Sequence, residues 1–271
     1  VPVLASGDRV QDRPLAEIGG KALWTKELDA WLEDGSIDAA VHSMKDVETL
    51  RPSSLTIAAI LPRADVRDVL IGADSVAELP QGARIGTSAP RRAAQMLHLR
   101  PDCSIVSFRG NVATRLEKLE RGEADATLLA AAGLARLGQS RIGKPLDPDG
   151  WLPAPAQGAI GIECNTRDDE TLALLSAIDH APSRAQILAE RALLEALGGN
   201  CHSPIAVMCR GVDASHTELV LRAALFSPDG AERVEDTLQF AAGDMTGPAE
   251  LAARLLSAAS PAIRQHFSGG E

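Results

Sequence analysis

The spacing of apolar residues changes repeatedly along the first part of the chain and predicts a helix followed by strands. Over residues 19–34, leucines and tryptophans recur at helical spacing and form one apolar stripe, which Gly35 ends. Beyond it, short apolar runs of strand length have turn residues near their ends and lie at 37–43, 54–61, 68–72 and 83–88.

The middle of the chain continues the alternation with more regular helices. Helical patterns are predicted at 90–100, 111–122 and 131–138, and strand-like runs separate them at 104–110 and 124–130. Strands that alternate with helices of this length predict βαβ units and parallel sheets. The fold class is therefore predicted to be α/β.

A segment rich in proline and glycine, residues 139–157, predicts an inter-domain connection or a flexible loop. The elements predicted after it are a strand at 159–165, helices at 168–180 and 182–199 with a Pro-Ser break between them, β-like runs at 218–227 and 232–242 joined by a turn, and a helix at 248–259. This last part is α+β in character and predicts a separate domain.

Composition excludes several classes of protein. The 271 residues are 45% hydrophobic and 24% charged with a net charge of −10, which is typical of a soluble globular protein of two or three domains. An acidic total argues against a nucleic-acid coat and against docking on anionic membranes. The four cysteines fit no metal spacing and are too few for a disulfide scaffold. We expect no metal, no membrane span, no secretory signal and a cytoplasmic location.

The net charge conceals a basic segment. Between Arg84 and Arg121 there are eight basic and three acidic residues, so this segment carries +5 and the rest of the chain −15. The residues Arg91 and Arg92 lie beside one predicted strand-to-helix junction. Helix N-termini at the carboxyl ends of strands bind anions, and arginine adds bidentate geometry for carboxylate or phosphate.

Two more arginines extend this pattern. Arg109 precedes the helix predicted at 111–122, and Arg115 lies within it. The four arginines predict a pocket for a polyanionic small molecule, with ordinary solvated arginines as the alternative. For Lys118 and Arg121, the favoured interpretation is pairing with Glu117 and Glu120 on the solvated face of the helix.

The motif HSMKDV, residues 42–47, directly follows a predicted strand and has the polar character of an active-site loop. Lys45 is able to bind an anion, and Asp46 to act as an acid or base or to stabilise a developing cation. The alternative is a harmless polar turn, and His42 on its own is better interpreted as structural.

One cysteine differs from the others in its surroundings. Cys201 lies in LGGNCHSP, a glycine-rich turn after a long helix, where a thiol is accessible to act as a nucleophile or an attachment point. Packing of Cys201 in the turn is the alternative. The other three cysteines have apolar or strand-like neighbours and are interpreted as packing residues.

Taken together, these motifs resemble the porphobilinogen deaminase (hydroxymethylbilane synthase) family. The stretches that carry the resemblance occur in the family's order over nearly the whole chain: PLAEIGGKALWTKELD, IDAAVHSMKDV, IGTSAPRRAAQ, FRGNVATRLEKLERGEADATLLAAAGLARLG, PAPAQGAIGIE and AERALLEALGGNCHSPIA. The combination of HSMKDV, RGNVATRL and the glycine-rich cysteine turn is specific to this family.

The resemblance implies two periplasmic-binding-protein-like domains, of which the first is discontinuous, and a small α+β C-terminal domain. The implied divisions are 1–62 with 159–178 for domain 1, 63–158 for domain 2, and 179–271 for the C-terminal domain that attaches the cofactor. The implied activity is the head-to-tail condensation of four porphobilinogens, each losing ammonia, to give hydroxymethylbilane in tetrapyrrole (haem) biosynthesis. The implied enzyme is a monomeric transferase with no nucleic-acid or membrane partner.

The resemblance also implies roles for single residues. Asp46 takes the place of the catalytic carboxylate, and Cys201 that of the cysteine that holds a dipyrromethane cofactor by a thioether. Further cofactor-binding positions are Ser43, Lys45, Thr87, Ser88, Arg91, Arg92, Arg109, Asn111 and Arg115. Substrate-binding positions are Lys21, Arg115, Arg136 and Gln157.

Three departures from the family pattern keep alternatives open. Ala89 stands where the family has a second serine, and Asn200 where glycine is usual. The chain also begins after the family's opening strand and helix, so we expect an exposed sheet edge and impaired activity. The alternatives are an inactive or impaired paralogue and a two-lobed protein that binds a polyanion without catalysis.

Overall fold

A computed structural model describes residues 23–200, 202–213 and 215–267. The helices of this part are α1 Leu23–Glu33, α2 Pro90–Leu99, α3 Val112–Glu120, α4 Ala131–Arg136, α5 Asp169–Ser176, α6 Ala181–Ala196, α7 Thr246–Ala258 and α8 Pro261–Arg264. The strands are β1 Ala40–Ser43, β2 Leu55–Ile60, β3 Asp68–Ile71, β4 Arg84–Gly86, β5 Ser104–Val106, β6 Ala126–Ala130, β7 Lys144–Pro145, β8 Ile160–Asn165, β9 Ile205–Gly211, β10 Glu218–Phe226 and β11 Arg233–Ala241.

The strands form three sheets. The first has the order β1-β8-β2, the second β5-β4-β6-β3-β7 and the third β11-β10-β9. The first and third sheets are antiparallel throughout their described strands. In the second sheet β4 is parallel to β5 and β6, whereas β3 is antiparallel to β6 and β7.

The α/β class is confirmed, but the prediction of parallel sheets holds only for β4, β5 and β6. These three strands are connected through α2 and α3, and a crossover helix is what brings successive strands into parallel alignment. The neighbours β1, β8 and β2 have no such connection between them, because the chain builds the whole second sheet before β8 returns to the first.

Two segments therefore cross between the first and second sheets, and they lie side by side. The Ala64 amide donates to the Gly158 carbonyl at 3.1 Å. Glu190 of α6 is fully buried and accepts hydrogen bonds from the Arg63 guanidinium at 2.7 and 3.0 Å, the Ala156 amide at 2.6 Å and the Cys209 amide at 2.7 Å. One carboxylate thus joins both crossing segments to the third sheet.

The sheets pack apolar faces against helices, and α6 and α2 each contact two sheets. In the third sheet, Leu221 and Leu225 of β10 pack with α6 and α7 in the largest described core cluster. In the second, Ile85 and Leu128 pack with Met96 of α2. The sheets therefore hold their edges and connecting loops in fixed positions, as a functional site requires.

Most predicted elements are confirmed within a few residues. The strands β7 and β9 and the short helix α8 were not predicted, and β7 lies in the segment interpreted as a connection or flexible loop. The predicted Pro-Ser break is wrong, because Pro182 and Ser183 lie in the first turn of α6, where proline fits the helix. Residues 19–22 of the first predicted helix lie outside the described residues.

In the described part of the chain, no helix is long and apolar enough to cross a bilayer.

Candidate functional site

The HSMKDV motif forms the end of β1 and one 3-10 turn, Met44–Asp46, which we call the Asp46 turn. Buried Met44 anchors it, and the Met44 amide donates to the Ala159 carbonyl at 3.1 Å. Lys45 is half-buried and Asp46 is exposed. The buried residue therefore holds the turn to the first sheet while the next two side chains point away from the core.

A buried ionic network lies beneath this turn. His42 Nε2 is 3.2 Å from Glu163 Oε2, and Arg51 donates to the same carboxylate at 2.9 and 2.7 Å while also bonding to Asp29. Burial raises the pKa of Glu163, but the contacts with His42 and Arg51 outweigh it and set the pKa at about 2. His42 therefore lies beneath the turn, against a buried carboxylate.

Arg91 and Arg92 lie in the first turn of α2, and both are almost completely buried. They share one acceptor, Asp68 at the start of β3. Arg91 Nη1 is 2.8 Å from Asp68 Oδ2, and Arg92 donates to Asp68 Oδ1 at 2.7 Å from Nη2 and 3.2 Å from Nε. Two guanidiniums against one carboxylate leave an excess positive charge.

Asp68 is the buried carboxylate of this site that the sequence did not single out. Its carboxylate also accepts hydrogen bonds from Trp151 Nε1 at 2.8 Å and Gln157 Nε2 at 3.0 Å. Burial raises the pKa of Asp68, but Arg91 and Arg92 more than offset it and hold the pKa well below its ordinary value. The only sequence signal was an aspartate that opens an otherwise apolar strand.

The charges of the Asp46 turn and of these arginines act on one another across the first and second sheets. Burial lowers the pKa of Lys45; Asp46 opposes that shift, while Arg92 and Arg91 add to it. Burial and the charge of Arg92 also lower the pKa of Arg115, and Asp46 opposes that. We call Lys45, Arg91, Arg92 and Arg115 the cationic cluster: Lys45 and Arg115 interact with the charge of Asp46, and the cations of the cluster repel one another. A bound polyanion relieves that repulsion.

Several predicted residues occupy supporting positions near α2 and α3. Thr87 is buried and its Oγ1 accepts from the Ala89 amide at 3.1 Å, while Ser88 Oγ donates to the Phe108 carbonyl at 2.8 Å. Asn111 caps α3 by accepting from the Thr114 amide at 2.9 Å. Ala89 is the N-cap residue of α2 and has no side-chain acceptor there. Ser43 ends β1 directly before the Asp46 turn.

The remaining predicted residues lie further out or are not described. Arg109 is exposed in the loop after β5, and Arg136 Nη2 lies 3.3 Å from the Gly158 carbonyl. Gln157, expected to line a cleft, is instead buried between the crossing segments, where it also donates to the Val66 carbonyl at 2.7 Å. Lys21 and Cys201 lie outside the described residues.

The +5 segment does not act as one cationic surface. Arg84 pairs with Asp125 at 2.8 Å, Arg100 with Asp102 at 2.8 Å and Arg121 with Glu123 at 3.0 Å. The predicted pairing of Lys118 and Arg121 with Glu117 and Glu120 is wrong, because Arg121 instead reaches Glu123, just beyond the helix end. Lys118 lies 5.6 Å above the Phe108 ring instead of pairing with Glu117. Only part of the excess charge belongs to the cationic cluster.

The described residues contain no group of three or more histidine, cysteine, aspartate or glutamate side chains that could hold a metal ion. Cys103, Cys164 and Cys209 are buried and form no disulfide. The described part of the site is therefore built from a carboxylate and cations.

Comparison with known proteins gives one consistent family. Residues 1–173 match the family model "Porphobilinogen deaminase, dipyromethane cofactor binding domain", and residues 185–259 match "Porphobilinogen deaminase, C-terminal domain". A porphobilinogen deaminase of Sphingopyxis alaskensis is 55% identical over 99% of this chain and 85% of its own length. One of Syntrophotalea carbinolica is 48% identical over 88% of this chain and 76% of its own length.

Solved structures also match the chain, with low similarity. A periplasmic substrate-binding protein of an ABC transporter from Coxiella burnetii matches 60% of this chain and 77% of its own, with 18% identity and a TM-score of 0.37. No conclusion about fold or function follows from a match at this level.

Proposed function

The chain belongs to the porphobilinogen deaminase family, and on that premise we propose that Asp46 is its catalytic carboxylate and that the cationic cluster holds the carboxylates of substrate and cofactor. The enzyme is a transferase of tetrapyrrole and haem biosynthesis that condenses four porphobilinogens with loss of ammonia to give hydroxymethylbilane. The observation that carries the proposal is that the charge of Asp46 acts on Lys45 of its own turn and on Arg115 of α3, two cations that also feel the charge of Arg92.

The residues present fit a dipyrromethane cofactor. Each pyrrole of porphobilinogen origin carries two carboxylates, so the cofactor brings four negative charges to a site with excess positive charge. Arg91 Nε is buried, and no described residue accepts a hydrogen bond from it. Arg91, Arg92, Lys45 and Arg115 would hold the cofactor's carboxylates, and Cys201 its thioether. When bound, the cofactor supplies the pyrrole to which the first substrate is joined.

The position of Asp46 suits the loss of ammonia. Its exposed carboxylate can accept a hydrogen bond from the leaving ammonium and then balance the positive charge left on the substrate's pyrrole. The nearby cations can bind the substrate's own acidic groups and leave the Asp46 carboxylate free to face the reacting carbon.

Arg91 and Arg92 contribute fixed orientation as well as charge. Their shared bonds to Asp68 hold two guanidiniums in place before any ligand arrives, so binding loses little side-chain entropy. Lys45 and Arg115 have no such buried carboxylate among the contacts described above, and they adapt to the lengthening chain.

By the family resemblance, we assign cofactor binding also to Ser43, Thr87, Ser88, Arg109 and Asn111, and substrate binding to Arg115, Arg136 and Lys21. Buried Gln157 would act on the site through its hydrogen bond to Asp68. The domains are divided as the sequence implies, with 1–62 and 159–178, 63–158, and 179–271 as the three units. The enzyme works as a monomer in the cytoplasm, and its small-molecule partner is porphobilinogen.

Replacing Cys201 by serine should abolish porphobilinogen consumption, since the growing chain loses its attachment point. Cys103→Ser is the matched control, because Cys103 is a buried cysteine of the second sheet. The measurement is the disappearance of porphobilinogen with purified variants. Native-like consumption by Cys201→Ser would contradict the assignment of the attachment residue.

A further inference from the structure

Arg191 of α6 makes a set of contacts that the reaction described above does not use. It is buried, and its guanidinium donates to three consecutive backbone carbonyls: Val47 at 3.3 Å, Glu48 at 2.6 Å and Thr49 at 2.9 Å. These carbonyls directly follow Asp46 in the chain. A planar guanidinium is suited to this because it offers several donors in fixed directions.

The same helix leads into the cysteine turn. α6 ends at Ala196, and the Gly198 and Gly199 amides donate back to the Glu195 and Leu194 carbonyls at 2.8 and 2.9 Å. Cys201 follows two residues after Gly199 in the sequence. At a rise of about 1.5 Å per residue, Arg191 lies about 7.5 Å along the helix from Ala196.

A second contact joins the same two segments independently. Thr49 Oγ1 lies 3.4 Å from the Gly199 carbonyl. The segment after Asp46 is thus bonded both to the body of α6 and to the turn that precedes Cys201. No covalent link joins the Asp46 turn to the C-terminal end of α6. These hydrogen bonds therefore fix the position of the turn relative to α6.

The geometry points to Arg191 as a positioning residue, which fixes the Asp46 turn relative to the helix that carries the attachment loop. This role rests on the proposed function of Asp46 and Cys201. Arg191 touches no reacting atom; it acts through the backbone of residues 47–49. Misplacement of a catalytic group by about 1 Å is enough to slow a reaction by as much as 10²-fold.

Arg184 provides a matched control on the same helix. Its guanidinium also donates to backbone carbonyls of the first sheet, Ile57 at 3.1 Å and Ala58 at 2.7 Å. These carbonyls belong to β2, away from the Asp46 turn. Loss of either arginine weakens the docking of α6 on the first sheet, but only loss of Arg191 releases the backbone next to Asp46.

The test compares Arg191→Met, Arg191→Lys and Arg184→Met in the full chain. For Arg191→Met we expect kcat to fall by about tenfold to a hundredfold, with little change in KM, and amide hydrogen exchange of the peptide 44–50 to accelerate. Arg191→Lys should recover part of kcat, because an ammonium still donates to one or two of the carbonyls. Arg184→Met should leave both kcat and exchange at 44–50 close to native.

Three results would overturn the role. They are a native kcat in Arg191→Met, an equal loss of kcat in Arg184→Met, and unchanged exchange at 44–50 despite a loss of kcat. If Arg191→Met does not fold, Arg191→Lys carries the same comparison. Asp46→Asn, assayed beside them, separates the two proposals: a native rate there contradicts the proposed function, whatever the Arg191 variants do.

Discussion

Replacing Asp46 by asparagine should lower kcat for porphobilinogen consumption by about 10²- to 10⁴-fold, the usual contribution of a positioned acid or base. Asparagine keeps the size of the side chain but neither carries a charge nor exchanges a proton. Because Asp46 is exposed and its turn is anchored by Met44, the free energy of unfolding should stay close to the native value.

Asp74→Asn is the control for this substitution. Asp74 forms a surface ion pair with Lys144 at 3.1 Å, and its loss should leave kcat unchanged. Steady-state kinetics on the three proteins make the comparison. A kcat of Asp46→Asn within a few-fold of native would remove Asp46 from the catalytic role.

Replacing Asp68 by asparagine should lower the free energy of unfolding by about 3–5 kcal/mol, the cost of leaving buried charges without their partner. Arg91 and Arg92 are both buried and both rely on this carboxylate. The amide of asparagine would in addition place a donor against the donors of Trp151 and Gln157. Urea unfolding followed by circular dichroism measures the change.

Asp65→Asn is the control for Asp68, since Asp65 pairs with Arg67 on the surface and its loss should cost less than about 1 kcal/mol. Folded Asp68→Asn protein should also show a raised KM, because the two arginines lose their fixed orientation. An unchanged free energy of unfolding and an unchanged KM would show that Asp68 does not hold the arginines.

The parts of the site that are local in sequence were predictable. The Asp46 turn follows an apolar strand, and Arg91 and Arg92 follow a strand-to-helix junction, so spacing alone places each at the end of a strand. Which of them meet was not predictable from spacing, because the meeting depends on how the first and second sheets face each other. The family resemblance supplied the roles, and the structure supplied the contacts.

Charges show why a sequence sum misleads. Arg84 is paired with Asp125, which lies 41 residues away in the chain, and Arg92 shares Asp68, which lies 24 residues away, with Arg91. Arg191 meets the Asp46 segment across more than 140 residues. Such partners have no local signal, because distant contacts are recognised only when both elements have been packed together.

Intact mass of the native protein, before and after porphobilinogen is added, tests the central claim most directly. We expect the purified protein to be heavier than its bare chain by two linked pyrrole units. Added substrate should then give a series of heavier species that carry up to four further units. A mass equal to the bare chain that substrate does not change would contradict it, and would leave a protein that binds polyanions without joining them.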